Sequence, residues 1–375
     1  WMQSHHEKAM KVATEKTVIG NFDNQSFTHH GVTSTMYKKD GNFYIKTQNG
    51  EGKLEEYKVA YTFGVTPLQQ YIAEFPNGRK QCLHVAWDDV SKKWYNLYPD
   101  TKISPDEWLH WSRGSQNWNQ MCADCHSTEL KKNYDQKTET YHTSWKEINV
   151  SCEACHGPSE KHILKSLNPQ ASIADDPLFK GLIKLKTASN KTEIEKCARC
   201  HSRRAQISDH YDHKGEFMDH YVPELLRSAD GTYHSDGQIK DEVYVYGSFI
   251  QSKMYHNNAR CSDCHNPHST KLKFEGNQLC LQCHKKEDFD TPKHHFHNTG
   301  SEGAKCINCH MPGKHYMVID FRRDHSLRVP RPDLSVKHDT PNACNMCHTD
   351  KTAQWAADAV VKNYGPTRKP HFSDI

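Results

Sequence analysis

The chain has 375 residues, a formal net charge of +3 and an apolar fraction of 35%, and its mean hydropathy is −0.93. This length accommodates two or more ordinary domains. No run approaches the ~18 consecutive apolar residues that a membrane-spanning helix needs, so the sequence predicts no transmembrane segment. An apolar content this low is typical of disordered chains, unless a group other than the side chains supplies the core.

The sequence over residues 27–100 predicts a small antiparallel β-meander. Phe43-Tyr44-Ile45 follows the turn signal Asp40-Gly41, and a second turn signal, Asn49-Gly50, precedes the β-type run from Tyr57 to Tyr61. No motif that carries chemistry falls in these residues. We therefore expect this region to shield another part of the molecule or to dock a partner, and not to carry out chemistry.

Three regions are predicted along the chain: an N-terminal segment over residues 1–26, a β-rich subdomain over 27–105 and a larger domain over 106–375. The larger domain has the pattern of short helices joined by long loops. Its last clear helix runs from Thr352 to Val361, where the composition is rich in alanine, and we expect it to stop near Gly365-Pro366.

Seven Cys-x-x-Cys-His pentapeptides lie in the larger domain, and each is the attachment signature of a c-type haem. Two thiols at this spacing reach the two vinyl groups of one porphyrin, and the next imidazole then lies over the iron. The attachment cysteines are Cys122, Cys125, Cys152, Cys155, Cys197, Cys200, Cys261, Cys264, Cys280, Cys283, Cys306, Cys309, Cys344 and Cys347. The proximal histidines are His126, His156, His201, His265, His284, His310 and His348. We expect seven covalent haem c groups, each with one iron, and each motif on a helical turn.

Two other uses of cysteine do not explain this pattern. Zinc sites group four ligands from two nearby pairs, whereas every pair here has its own adjacent histidine. Disulfides explain an even number of cysteines, but not a histidine directly after each second cysteine. Cys82 is the one cysteine outside the motifs, and its apolar-alternating surroundings predict a buried, inert thiol.

Seven haems change what the composition implies. Large, mostly apolar macrocycles supply the core that the side chains lack, and their covalent links hold the surrounding loops. Their propionates make the holoprotein more acidic than the sequence, so the pI of 8.1 does not indicate nucleic-acid or anionic-membrane binding. Because c-type haem is attached outside the cytoplasm, we expect a periplasmic or extracellular location at the cell surface.

The chain has 28 histidines, of which seven belong to the motifs, so the others must supply the distal ligands. His268 and His162 follow their motifs too closely to reach the far face of the same haem. Each should therefore ligate a different iron, and for His268 the simplest choice is the haem at 280–284. His325 and His110 are also favoured by their positions near motifs.

The remaining distal ligands are less constrained by position. Among His294, His295 and His297 we expect one ligand and favour His297. His220 or His234 is expected to serve another haem, with His220 preferred in the set of iron ligands that we predict. His6 or His5 completes the set. The alternative for each of these histidines is a solvated or hydrogen-bonding role.

Several motifs resemble the doubled-CXXCH multihaem cytochromes, a group that includes the tetrahaem electron carrier of ammonia oxidation. They are Cys-Glu-Ala-Cys-His-Gly-Pro from Cys152, Cys-Ser-Asp-Cys-His-Asn-Pro-His from Cys261 and Cys-Ile-Asn-Cys-His-Met-Pro from Cys306. The opening Trp1-Met2-Gln3-Ser4-His5-His6 is similar to a segment that supplies a distal histidine in this group, and the resemblance implies His6 for that role.

A narrower resemblance spans essentially the whole chain. Tyr61-Thr62-Phe63-Gly64 and Val245-Tyr246-Gly247-Ser248-Phe249 resemble uncharacterised multihaem cytochromes that are often fused to tetratricopeptide repeats. In those relatives a further motif lies upstream of the tryptophan and helical repeats follow the last motif. Since this chain begins at Trp1 and stops at Ile375, we expect it to be a segment of a longer protein with an eighth haem.

The resemblance and the motifs together imply a multihaem cytochrome c fold: mainly short α-helices and long loops around seven covalent haems, with a small antiparallel β-rich subdomain at the N-terminus. The favoured function is electron transfer between donor and acceptor redox proteins through bis-histidine haems. The first alternative is an oxidoreductase that binds a small nitrogen or sulfur compound at one open iron, with Arg203-Arg204 and Arg322-Arg323 as candidate cations. The second is a homo-oligomer or conductive filament. All seven motifs keep their histidine, so we name no catalytic residue.

Overall fold

The computed structural model describes residues 1–168, 170, 182–208, 211–224 and 231–374. Its first hundred residues form one antiparallel sheet. The strands are β1 (Met10–Val12), β2 (Gln25–His29), β3 (Val32–Lys39), β4 (Asn42–Gln48), β5 (Leu54–Phe63), β6 (Leu68–Glu74), β7 (Lys80–Cys82), β8 (Val85–Asp88) and β9 (Lys93–Asn96). Their order is β2-β3-β4-β5-β6-β8-β9, with β1 beside β5 and β7 beside β6. The predicted meander is confirmed, and it extends further toward the N-terminus because β1 joins it.

The β3–β4 hairpin shows why these residues form a meander. Asp40 and Gly41 have φ angles of 51° and 70°, which is the left-handed backbone that a two-residue hairpin loop requires. Along β4 the side chains of Phe43 and Ile45 are buried and their neighbours are not. One face of the sheet is therefore covered by the core, and the core has Trp87, Trp94 and Trp111 among its members.

A second apolar cluster ties the sheet to the first haem motif. It contains Met10 from β1, Ile72 from β6, Cys82 from β7 and Trp118, which begins the first helix. Cys82 is 2% exposed, and Gln70 Nε2 donates a hydrogen bond to its sulfur at 3.1 Å. Burial raises the pKa of the Cys82 thiol well above its usual value. The predicted burial of this thiol is confirmed.

The rest of the described chain consists of short helices and two-stranded hairpins. The helices are α1 (Trp118–Met121), α2 (Ala123–His126), α3 (Cys152–His156), α4 (Glu160–Leu167), α5 (Asn190–His201), α6 (Tyr246–Phe249), α7 (Lys253–His256), α8 (Cys261–Cys264), α9 (Lys286–Phe289), α10 (Pro292–His295), α11 (Cys306–His310), α12 (Pro332–His338) and α13 (Ala353–Tyr364). The hairpins pair β10 (Tyr134–Asp135) with β11 (Thr140–Tyr141), β12 (Arg204–Gln206) with β13 (Tyr221–Pro223), β14 (His265–Asn266) with β15 (Lys271–Leu272), and β16 (Gly313–Tyr316) with β17 (Asp320–Arg323). None of the described helices is long and apolar enough to cross a membrane.

Helix α13 begins and ends close to the predicted positions. The Thr352 side chain accepts a hydrogen bond from the Trp355 amide at 3.1 Å, which caps the N-terminus. Gly365 follows the last residue with a φ angle of 83°, a conformation that ends helices readily. The helix extends beyond Val361 and ends at Tyr364, at the predicted stop beside Gly365-Pro366.

Beyond Ile250 the described residues bury few apolar side chains. Those that are buried, apart from two prolines, are Ala304, Leu334, Ala356 and Ala357. Large apolar side chains such as Phe274 and Phe289 are 46% and 41% exposed. Side chains alone therefore do not build a hydrophobic core in this part of the chain, in keeping with the expectation that macrocycles supply one.

Candidate haem-binding sites

The seven motifs share one local geometry. We number them as sites 1 to 7 in chain order: 122–126, 152–156, 197–201, 261–265, 280–284, 306–310 and 344–348. Sites 1, 2, 3, 4 and 6 lie in or directly beside α2, α3, α5, α8 and α11, with Cys122 just before α2 and His265 just after α8. Sites 5 and 7 are helical turns, in which the His284 and His348 amides bond the Cys280 and Cys344 carbonyls at 3.1 and 2.9 Å. A helical turn brings the two thiols to one side, as attachment to one porphyrin requires.

Five motif histidines each lie across from a second histidine. The ring centroids are 6.2 Å apart for His201 and His6, 6.0 Å for His156 and His268, 6.4 Å for His265 and His325, 6.2 Å for His310 and His294, and 6.1 Å for His348 and His297. Metal–imidazole bonds are about 2 Å long, so two imidazoles on opposite sides of one metal have centroids roughly 6 Å apart. The spacing and the donor set therefore fit haem iron with two axial histidines.

Backbone carbonyls set the tautomer of several of these rings. The Nδ1 atom of His156 donates to the Ile183 carbonyl at 2.8 Å. His310 donates in the same way to the Arg328 carbonyl, and His325 to the Arg323 carbonyl, both at 2.9 Å. A hydrogen bond from Nδ1 leaves the lone pair on Nε2, the nitrogen that would bind the iron.

Burial keeps paired histidines neutral. It lowers the pKa of His201 to about 4, and it also lowers the pKa of His6, His265 and His325. Neutral imidazole is the form that coordinates a metal, so these rings are ready to ligate near neutral pH.

The N-terminal segment is held where His6 meets site 3. Strand β1 pairs with β5 through Met10 and Phe63. The Val150 amide donates to the His6 carbonyl at 3.2 Å, and Trp1 Nε1 donates to the Val150 carbonyl at 2.9 Å. This explains how a histidine so far from site 3 in sequence lies against His201.

Of the predicted distal histidines, the structure brings His6, His268, His297 and His325 to a motif histidine. His268 differs from its expected partner, because it faces His156 of site 2 and not site 5. It lies in the turn between β14 and β15, and this turn contacts the N-terminal segment, where the His5 amide donates to Thr270 Oγ1 at 3.3 Å. The hairpin therefore carries His268 away from site 5.

His110, His162 and His220 are not brought to a motif histidine. The His110 ring is buried in the β-rich region, with Nδ1 2.9 Å from Ser112 Oγ. His162 lies on the exposed helix α4. His220 Nε2 donates to the Lys214 carbonyl at 2.8 Å. The two hydrogen bonds are local in sequence and His162 faces solvent, so nearness to a motif in sequence did not predict nearness in space.

Sequence reasoning missed His294, since it allowed one ligand for the segment 294–297. Helix α10 ends because Phe296 adopts the left-handed backbone, with a φ angle of 54°. The chain changes direction there, so His294 faces His310 of site 6 while His297 faces His348 of site 7. The sequence feature that could have indicated a second ligand is the number of histidines in this segment, which contains three.

Sites 1 and 5 differ from the other five. The nearest aromatic neighbour of His126 is Phe63, with centroids 4.3 Å apart, and that of His284 is Phe289, at 5.4 Å. Within the described ranges, neither ring faces a second imidazole. Burial lowers the pKa of His126 to about 4.

Cysteines of successive sites lie beside one another. Three pairs lie closest to one another: Cys125 with Cys200, Cys197 with Cys261, and Cys280 with Cys306. Three more pairs are close enough to interact electrostatically: Cys155 with Cys200, Cys264 with Cys283, and Cys309 with Cys344. These contacts link the sites in the order 1-3-4-5-6-7, with site 2 beside site 3.

Comparison with known proteins agrees with this geometry. Residues 86–157 match the family model for cytochrome c554 and c-prime, and residues 256–289 match the doubled CXXCH motif. The crystal structure of the outer cell wall cytochrome OcwA superposes with a TM-score of 0.61 at 16% identity, covering 96% of this chain and 83% of that one. At this identity the likeness concerns the fold. No curated protein matches the chain significantly.

Proposed function

Because the chain is a multihaem c-type cytochrome, we propose that it transfers electrons through seven haem c groups. The 14 motif cysteines would attach them, and each motif histidine would be the proximal ligand. The observation that carries the proposal is the set of five facing histidine pairs. Two imidazoles leave no free position on the iron, so such a haem exchanges single electrons without binding a substrate.

The contacts between cysteines support a particular route. Thioether bonds hold the porphyrin edge at the cysteines, so neighbouring cysteines bring porphyrin edges together, and electron tunnelling is fastest across short edge-to-edge gaps. We propose a continuous route through sites 1, 3, 4, 5, 6 and 7. Site 2 branches from site 3, since Cys155 lies next to Cys200 and Cys197.

We further propose that the protein works in the periplasm or at the cell surface, where it exchanges electrons with donor and acceptor redox proteins. The reason is that c-type haem is attached outside the cytoplasm. The fold is similar to that of the outer cell wall cytochrome OcwA, which is consistent with such a location.

The route is tested by making the same ligand change on it and beside it. His325→Met at site 4 and His268→Met at site 2 each replace a distal histidine by methionine, which raises the potential of that haem. A haem of raised potential on the route would hold the electron and slow its passage. On a branch, such a haem does not lie between the two ends of the route, so it should not slow the passage. The holoprotein would be tethered to gold through Asp350→Cys, at an exposed residue next to site 7, and its single-molecule conductance measured.

We expect His325→Met to lower the conductance severalfold and His268→Met to leave it near that of the parent. Equal conductance in both variants would contradict the route. An insulating parent protein with its haems attached would contradict electron transfer itself.

A second candidate function, an oxidoreductase, is favoured by one observation: His126 and His284 face no second imidazole within the described ranges. An iron with an open position binds small ligands such as nitrite or hydroxylamine. Low-temperature EPR of the oxidised protein distinguishes the two functions. A high-spin ferric signal that shifts when nitrite or hydroxylamine is added supports the oxidoreductase. Low-spin signals that account for all of the haem exclude it.

A further inference from the structure

A carboxylate shared by two arginines lies among the first three sites. Arg199 Nη2 is 3.4 Å from Asp124 Oδ1, and Arg204 Nη2 bonds Asp124 Oδ2. The Tyr221 hydroxyl donates to the same Oδ2 atom at 3.3 Å. The side chains of Arg199, Arg204 and Asp124 are only 4%, 6% and 11% exposed. We call these three residues the junction cluster.

The cluster contacts the attachment points of three haems. Asp124 lies between the two cysteines of site 1, and Arg199 lies between those of site 3. Arg199 Nη1 donates to the carbonyl of Ala154, in site 2, at 3.3 Å. Arg204 Nη2 is 3.4 Å from Cys125 Sγ. The cluster is therefore located where the residues that would attach the haems at sites 1, 2 and 3 meet.

Its charges do not cancel. Two guanidinium groups and one carboxylate have a formal sum of +1, and both guanidinium groups contact that one carboxylate. The Nε atom of Arg199 is buried without a hydrogen-bond partner within the described ranges. By contrast, the buried carboxylates of Glu193 and Asp236 each pair with one arginine, Arg260 and Arg328 respectively.

The surroundings keep water away from the uncompensated charge. The Arg199 guanidinium lies over the Tyr211 ring at 4.7 Å, and the Arg204 guanidinium over the Tyr221 ring at 3.9 Å. Charges interact more strongly in such a low-dielectric interior than in water. A haem attached through these cysteines would carry its propionates on the pyrrole rings away from the thioether bonds, and so away from the cluster.

We propose that the junction cluster raises the reduction potentials of the haems at sites 1 and 3, so that electrons entering at site 7 collect at the site 1 end. Reduction adds one electron to a ferric iron and removes one unit of positive charge, and a nearby net positive charge favours that form. This inference rests on the proposed electron transfer and adds its direction.

The test is a spectroelectrochemical titration of the holoprotein and four variants, after intact mass has established that each carries the parent number of haems. Arg204→Gln removes one positive charge and leaves Asp124 paired with Arg199, so the most positive steps should shift to lower potential. Asp124→Asn removes the negative charge and should shift the same steps to higher potential. Arg204→Lys keeps the positive charge, so its potentials should stay near those of the parent.

Arg203→Gln is the matched control, because it makes the same charge change one residue away. Arg203 forms an exposed pair with Asp241, with side chains 47% and 62% exposed, and solvent screens it. Unshifted steps in Arg204→Gln, or shifts of the same sign in Arg204→Gln and Asp124→Asn, would overturn the proposal. If Asp124→Asn does not acquire its haems, the comparison of the potentials of Arg204→Gln with those of Arg204→Lys tests the proposal. The conductance of the parent is measured separately, so a failure here leaves the electron-transfer proposal standing.

Discussion

At the scale of single residues, the environment of each histidine separates those that suit iron binding from those that do not. His268 and His162 show this contrast. Both follow a motif closely in sequence, but only His268 has a motif histidine opposite it, at 6.0 Å. His162 is on an exposed helix surface. Proximity to a motif in sequence therefore does not identify a distal ligand. A better criterion is a second imidazole roughly 6 Å away, the distance between two imidazoles that bind one metal.

The matched variants His268→Ala and His162→Ala test this contrast. In His268→Ala the haem at site 2 loses its distal ligand, so one haem should change from low spin to high spin. In His162→Ala the spectrum should stay that of the parent, because no motif histidine faces this ring. EPR with integrated spins measures the change. A high-spin haem in His162→Ala, or none in His268→Ala, would contradict the pairing.

At the scale of elements, short polar turns hold the sheet in register. The β8–β9 turn depends on Asp88, which is 3% exposed. Its Oδ1 atom accepts hydrogen bonds from the Val90 and Ser91 amides at 2.9 and 2.8 Å. Burial alone would raise the pKa of Asp88, but the hydrogen bonds from Ser91 and Val90 outweigh it and lower the pKa.

Asp88→Ala should lower the free energy of unfolding by about 1–3 kcal/mol, because the turn loses two hydrogen bonds worth about 0.5–1.5 kcal/mol each. The folded pKa lies below the unfolded value of about 3.9, so the contribution of Asp88 is present above that pH and is lost as the pH falls below it. The difference between parent and variant in chemical denaturation should therefore shrink in acid. Asp89→Ala is the control: Asp89 pairs at 2.6 Å with the exposed Lys92, and removing it should cost about 0–1 kcal/mol. A difference for Asp88→Ala that persists unchanged at low pH would refute this account.

Elements were predictable where the signal is local. Asp40-Gly41 specifies a tight hairpin through its own backbone preferences, and Thr352 and Gly365 bound α13 through capping. The contribution of β1 was not predictable, because Met10–Val12 is short and its partner strand lies about fifty residues away in sequence. Short strands carry little periodicity, so only pairing reveals them.

At the scale of the whole molecule, two kinds of core divide the chain. The sheet has a core of aromatic and aliphatic side chains, whereas the described residues beyond Ile250 bury, apart from two prolines, Ala304, Leu334, Ala356 and Ala357 as their apolar side chains. Four such side chains do not offset the conformational entropy of more than a hundred residues. We therefore expect the second part to owe its stability to the haems and their covalent links.

Protein made in a host that lacks haem attachment tests this division. Without haem, amides of the sheet should stay protected from hydrogen exchange, while amides beyond residue 250 should exchange as in an unfolded chain. Mass-resolved hydrogen exchange compares the two parts, and the holoprotein is the control, in which both should be protected. Protection beyond residue 250 in the haem-free chain would show that side chains suffice there.

The sequence alone determined the cofactor class, the candidate attachment cysteines and proximal histidines, and the β-meander. Each of these depends on residues that are adjacent or a few positions apart, so bond geometry and backbone preference decide them. Only the tertiary structure decided which distant histidine faces which motif. His6 meets His201 through the pairing of β1, His268 turns to His156 on a hairpin, and His294 and His297 separate at Phe296. The second histidine of a haem would lie on the face away from the motif. Any segment of the chain that the fold brings to that face could therefore supply it.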